Sequence, residues 1–200
     1  VALPLIAATL VIGLGVHEAM RTDEQLRRQA FEREADNLTH RVVAGLRESQ
    51  RTLEAMHGVA DTAPSLDAAA FRRAAAPWPI GAERLIAVGY GERVERAAIA
   101  EFEQRERAAG NADFRVSDRR DAGVPQPDED FVVAIRFIEP PAPNQRALGV
   151  NSRSVARART AIDRAVSTGS AAATEGCALS QGGRGVVLYR ALYHGQPATF

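Results

Sequence analysis

The run FVVAIRFIEPPAPNQRALGVNS, Phe131 to Ser152, sets the reading of everything around it. Phe131 to Ile138 is apolar apart from Arg136 and rich in β-branched and aromatic residues, the composition of a buried strand. Glu139 is the first residue past this run, which puts its carboxylate at the rim of a sheet. Pro140, Pro141 and Pro143 then stiffen a loop and lower the entropy cost of presenting its side chains. Asn144, Arg146 and Asn151 add polar groups before the next helix. Two readings of Glu139 follow. An acid on a rigid loop at a sheet mouth suits recognition of a ligand's N–H groups; equally, Glu139 pairs with Arg146 and ties the loop down.

Toward the C-terminus, Ser152 to Ser167 reads as a helix stopped by Gly169. Ala172–Ser180 and Gly185–Tyr193 read as two strands joined at Gln181-Gly182-Gly183-Arg184 in a hairpin. Toward the N-terminus, Arg84 to Val94 reads as a strand interrupted by Gly89 and Gly91. Glu95 to Ala109 is an amphipathic helix capped by Gly110, Phe114 to Ser117 a short strand, and Arg119 to Asp130 a polar loop. Its acids, Asp128, Glu129 and Asp130, read as solvated. Ser65 is the expected N-cap of a short helix ending at Ala75, with Asp67 in the first turn. Pro77-Trp78-Pro79 is expected to be extended. The fold class is α+β: strands pairing as hairpins with helices to one side suggest a PAS-like sheet over residues 64–200.

Residues 18–60 have no Pro and read as one long stalk helix. Ala35, Leu38, Val42, Leu46, Ser49, Leu53 and Met56 recur at gaps of three and four, a single helical face. That stripe packs either on its own domain or on the same stripe of a second chain, making a homodimer. Val1 to Val16 is uncharged and is expected to be a clipped transmembrane helix over residues 1–17. A signal-peptide core and a buried helix are the alternatives. HGQPATF at the other end carries no helix stop or polar tail, so a fragment with an unfinished sheet is expected.

Composition removes several function classes. The 25 basic residues balance 25 acidic ones, a poor footing for nucleic-acid binding. All the basic residues are Arg, which excludes Schiff-base chemistry and Walker-type phosphate loops. The four His show no ligand spacing, no HExxH or CxxC occurs, and no GxSxG elbow is present. Cys177, the one cysteine, reads as a small buried residue. No catalytic residue, metal or cofactor is expected.

The order of features resembles a known family. Trp78-Pro79 precedes Glu83-Arg84, and a helix carries Glu101-Phe102-Glu103. FIEPxxxNxxALGxxxxS follows from Phe137 to Ser154, then a helix, Thr168-Gly169, Thr174 and the segment Gly185–Tyr193. From about Phe71 to Tyr193 this is similar to the CHASE domain, the extracytoplasmic sensory module of bacterial histidine kinases, diguanylate cyclases and nucleotide cyclases, and of plant cytokinin receptors. The resemblance implies a stalk helix followed by PAS-like subdomains, the distal one holding a small ligand. It implies that Glu139 recognises the ligand's polar edge and that Thr174 contacts it. Tyr90 and Leu148 become pocket walls by position, and Asn144 a further polar contact. This chain carries Glu where cytokinin-binding members carry Asp, and Asn151 where many members carry an acid.

The expected function is an extracytoplasmic, small-molecule-sensing domain of a receptor in the cytoplasmic membrane, coupled to a kinase or cyclase. The alternative is a ligand-free dimerisation ectodomain.

Overall fold

The computed structural model describes residues 2–62, 66–81, 85–119, 128–178 and 183–193. Ser65, Glu83, Arg84 and residues 120–127, 179–182 and 194–200 lie outside them, as does the side chain of Cys177.

The first helix, α1, runs unbroken from Ala2 to Thr62. Exposed ion pairs at i, i+4, Asp23–Arg27 and Arg28–Glu32, lie along it and add a few tenths of a kcal/mol each. The expected membrane span over 1–17 is not found: among the described residues no helix is long and apolar enough to cross a membrane. Residue contacts divide the chain into Val1–Leu46 and Arg47–Phe200. In the first unit the stripe faces solvent, with Leu38 54% and Val42 61% exposed. In the second, Thr52 and Met56 of the same helix are buried.

Helix α2, Ala68–Ala75, is capped by Asp67, whose carboxylate accepts the Ala70 N–H. Asp67, expected inside the first turn, is therefore the cap itself. Pro77-Trp78-Pro79 is not extended. Trp78 N–H donates to Ala75 O and Ile80 N–H to Trp78 O, so the segment turns back directly after α2.

Strand β1, Val88–Glu95, leads through a 3-10 turn at Arg96–Ala98 into α3, Ile99–Ala108. The strand expected at Phe114–Ser117 is shorter and later: β2, Ser117–Asp118. Strand β3, Phe131–Glu139, is where the apolar run placed it. The proline loop is helical: Pro141–Asn144 forms a short turn, α4, followed by a 3-10 turn at Gln145–Ala147. Pro140 precedes this turn in extended conformation, and Pro141 needs no N–H at the helix start. Strand β4, Val150–Asn151, a 3-10 turn at Ser152–Ser154 and α5, Ala156–Thr168, complete the central part. Gly169, at φ 62°, ends α5 as anticipated.

The main sheet has the order β1-β3-β4-β2, antiparallel except for the β2–β4 pair. The C-terminal strands pair as an antiparallel hairpin but in two short pieces. β5 (Ala172–Ala173) pairs with β8 (Leu188–Tyr189), and β6 (Cys177–Ala178) with β7 (Arg184–Gly185).

A bulge in β3 positions the functional end of the sheet. Ala134 opposes Glu92 and Ile135 opposes Gly91, but Phe137 opposes Tyr90, leaving Arg136 as an extra residue. Directly opposed residues share a face, and β1 alternates regularly through Tyr90 and Glu92. Phe137 and Glu139 therefore join the face of Val132 and Ala134, which an unbulged strand would deny them. Burial follows this slip: Val132, Ala134 and Phe137 are buried. A side chain at Gly91 would meet Val133 Cγ1 at 3.0 Å, so glycine permits the close strand approach here.

Two apolar clusters result. Val94, Phe102, Phe114, Val132 and Ala134 form one, edged by Ile99, Val116 and Leu148. Met56, Phe71, Ala75, Val88 and Phe137 form the other, edged by Leu66, Ala74, Trp78, Ile80 and Tyr90.

Candidate functional site

Glu139 closes β3 opposite Val88, directly beyond the second cluster. Phe71 and Tyr90 flank Phe137 at ring-centroid distances of 5.8 and 5.9 Å, Tyr90 in a stacked arrangement. Glu139 lies two residues beyond this aromatic group on β3, and Phe71 and Phe137 within the group are buried. The partner of Glu139 is not Arg146, which is exposed. Arg72 of α2 donates from Nε to Glu139 Oε1 at 3.1 Å. The Arg72 side chain is 67% exposed and that of Glu139 only 16%.

Tyr90 sits half-buried at the edge of the cluster. Burial is the main cause of an elevated phenol pKa; Glu92 adds to it and Arg136 opposes it. Asn144, on α4, is 1% exposed. Its Nδ2 donates to Pro140 O at 2.7 Å, while its Oδ1 acceptor has no hydrogen-bond partner among the described residues. A buried acceptor left without a partner costs on the order of 1–3 kcal/mol, so a donor entering here would be well received.

Thr174 and Leu148 lie in other surroundings. Thr174 follows β5, is buried, and exchanges bonds with Val187: its N–H donates to Val187 O and its Oγ1 accepts from Val187 N–H. Leu148 edges the cluster under α3. Glu139, Tyr90 and the Asn144 turn are thus assembled at one end of the sheet, Thr174 lies in the C-terminal hairpin, and Leu148 packs under α3. A surface hollow on α1, lined by Ala30, Arg33, Glu34, Asn37, Leu38 and Arg41, involves none of these residues.

Between the clusters runs an ionic network that the sequence reading did not identify. Arg136 donates from Nε to Glu106 Oε1 and from Nη1 to Glu92 Oε2, both at 2.8 Å. Arg105 donates to Glu92 Oε1 at 3.0 Å. Arg136 also lies over the Phe137 ring, 4.7 Å from its centroid. One signal was present: a lone Arg inside FVVAIRFI must find a carboxylate. Glu106, at helical spacing from Ile99 and Phe102 on α3, is that carboxylate.

A second network corrects the reading of the acidic loop. Glu129 is not merely solvated: Arg153 donates to both its oxygens and also to Asp163 of α5. The Arg153 hydrogen bond is the main reason the Glu129 carboxyl lies below the usual range. Asn151 is engaged as well. Its Oδ1 accepts from Val133 and Arg153 N–H and its Nδ2 donates to Asp118. These groups hold the loop geometry and leave the ligand question to the other end of β3. Among the described residues no group of His, Cys, Asp and Glu could hold a metal ion.

The chain belongs to the CHASE domain family, which it matches over residues 64–199. Members are sensory extracellular domains of receptors, a role in recognition rather than catalysis. No curated protein matches the chain.

Proposed function

We propose that this chain is the small-molecule-sensing part of a membrane-bound receptor of the histidine kinase or diguanylate cyclase type. The sensory domain lies outside the cytoplasmic membrane, and ligand binds at the Glu139 rim. The observation carrying this reading is the shared cluster: Phe137, two residues before Glu139, packs with Phe71 of α2 and Met56 of α1. A ligand at the edge of this cluster acts on the end of the stalk helix without an intermediary. His57 of α1, bonded through Nε2 to Ala191 O at 3.1 Å, joins the same helix to the C-terminal segment. Binding shifts the population of two arrangements of these elements, which α1 transmits. Glu139 supplies the polar recognition, Asn144 a buried acceptor and Tyr90 an aromatic wall.

A homodimer through α1 belongs to the same proposal, supported by the solvent-facing Leu38, Val42 and Leu46. The test is a thermal-shift screen of the chain against small metabolites, followed by titration of Glu139→Ala. The expected result is a hit whose affinity collapses in a variant that remains folded. Unchanged affinity in that variant would remove Glu139 from the binding role.

A further inference from the structure

The rim around Glu139 carries a charge argument about what it binds. Among the described residues, three carboxylates, Glu92, Glu106 and Glu139, are matched by Arg72, Arg105 and Arg136. Arg136 is held from two sides inside the network. Arg72 is held by a single Nε contact, at 3.1 Å, and is otherwise largely in solvent. It is the cation most easily withdrawn, and its withdrawal leaves one negative charge, on a carboxylate only 16% exposed. A neutral ligand that displaced Arg72 would strand this desolvated charge. A cation would replace Arg72 in kind, and Tyr90, partly buried on the same face of the sheet as Glu139, gives an apolar body a wall. Asn144 Oδ1, buried in the turn that follows, offers an acceptor suited to a second N–H.

Resting on the sensory reading above, we infer that the ligand is an organic cation, an ammonium or amidinium on an apolar body. Arg72 occupies its place until it arrives. Because Arg72 and the buried Phe71 are adjacent on α2, exchange of the cation at Glu139 releases the polar hold on the helix that follows α1. Arg72 is thus an internal competitor and the sensor's resting contact.

Trp78, the one tryptophan of the chain, packs at the edge of this cluster and reports on it by fluorescence. The full chain is titrated with benzamidine and with benzamide, its neutral counterpart, with calorimetry as a second readout. Benzamidine is expected to bind at least tenfold more tightly than benzamide and to lose at least tenfold in Glu139→Gln. It is expected to bind about threefold more tightly to Arg72→Ala, where an exposed competing ion pair of modest strength is gone. Equal binding of benzamide, retained affinity in Glu139→Gln, or no gain in Arg72→Ala would overturn the proposal. A neutral metabolite whose binding depends on Glu139 would overturn the cation class and leave the sensory reading standing.

Discussion

Arg136 and Glu106 meet at 2.8 Å at the boundary between the two apolar clusters, and the Glu106 side chain is 1% exposed. The Arg136 side of the bulge and the inner face of α3 are joined by this contact. Removing the cation alone leaves a buried carboxylate whose remaining ion-pair partner among the described residues is Arg105, at 3.9 Å. Arg136→Met is expected to cost about 3–5 kcal/mol, read as a lowered urea midpoint. Arg136→Met combined with Glu106→Leu is expected to recover most of it, because the desolvated charge leaves with its partner. Additive losses in the double variant would contradict a coupled pair.

Gly149 tolerates no side chain. Its φ is +74°, and a Cβ would fall 1.8 Å from Arg115 O. The same residue donates to Ile135 O and accepts from Ser117 N–H, holding β2 to the sheet. Gly149→Ala is expected to abolish cooperative unfolding of the domain. Gly58→Ala, in α1 with open space around it, is expected to add up to about 1 kcal/mol. Comparable melting temperatures for the two variants would refute the assignment.

The acid limb of stability is set partly by Glu129 and Glu103, whose carboxyls are held below the usual range. The causes are the Arg153 hydrogen bond for Glu129 and the Val116 N–H for Glu103. A depressed folded pKa contributes stability that is present above the unfolded value, about 4.3, and is lost as pH falls through the folded value. Stability is therefore expected to decline below about pH 4.3. Glu129→Gln is expected to flatten that decline while lowering stability at neutral pH. Denaturation curves at a series of pH values measure both effects.

At the alkaline end the sign reverses. The Tyr90 phenol is raised chiefly by burial, so its contribution is complete below the unfolded value of about 10 and is lost as pH rises through the folded one. Tyr90→Phe is expected to reduce the loss of stability above about pH 10. An alkaline unfolding profile unaffected by the substitution would place Tyr90 in a more solvated setting.

On α1, Leu38 and Val42 are exposed, so replacing both with Glu removes no buried contact. Leu38→Glu with Val42→Glu is expected to leave the melting temperature of Arg47–Phe200 unchanged and to convert a dimer to a monomer in sedimentation. A dimer that persists in this variant uses another surface.

Much of the fold could be read directly from FVVAIRFI, from the Pro-free run before Met56 and from the residues up to Gly169. These are local patterns in which propensity, periodicity and stop residues agree. The candidate site was less accessible. Glu139 at a sheet rim was visible because it ends an apolar run, and Asn144 because it follows three prolines. The partner of Glu139 was not. Arg146 is seven residues away in sequence, but Arg72, 67 residues earlier, is the residue that reaches it. The assignment of Glu129 to solvent failed for the same reason, since Arg153 comes to it across a loop.

The amino-acid sequence alone determined the type and order of the main elements, the family, and the exclusion of a Lys-dependent chemistry. Each depends on composition or on neighbours within a few residues. Only the tertiary structure decided the phase of β3. Its pairing with β1 inserts Arg136 as an extra residue, and a one-residue slip moves every later side chain to the opposite face. That slip sends Phe137 into the cluster with Phe71 and Met56 and brings Glu139 beneath Arg72. The register is fixed by contacts across long stretches of chain, which no local window of residues contains.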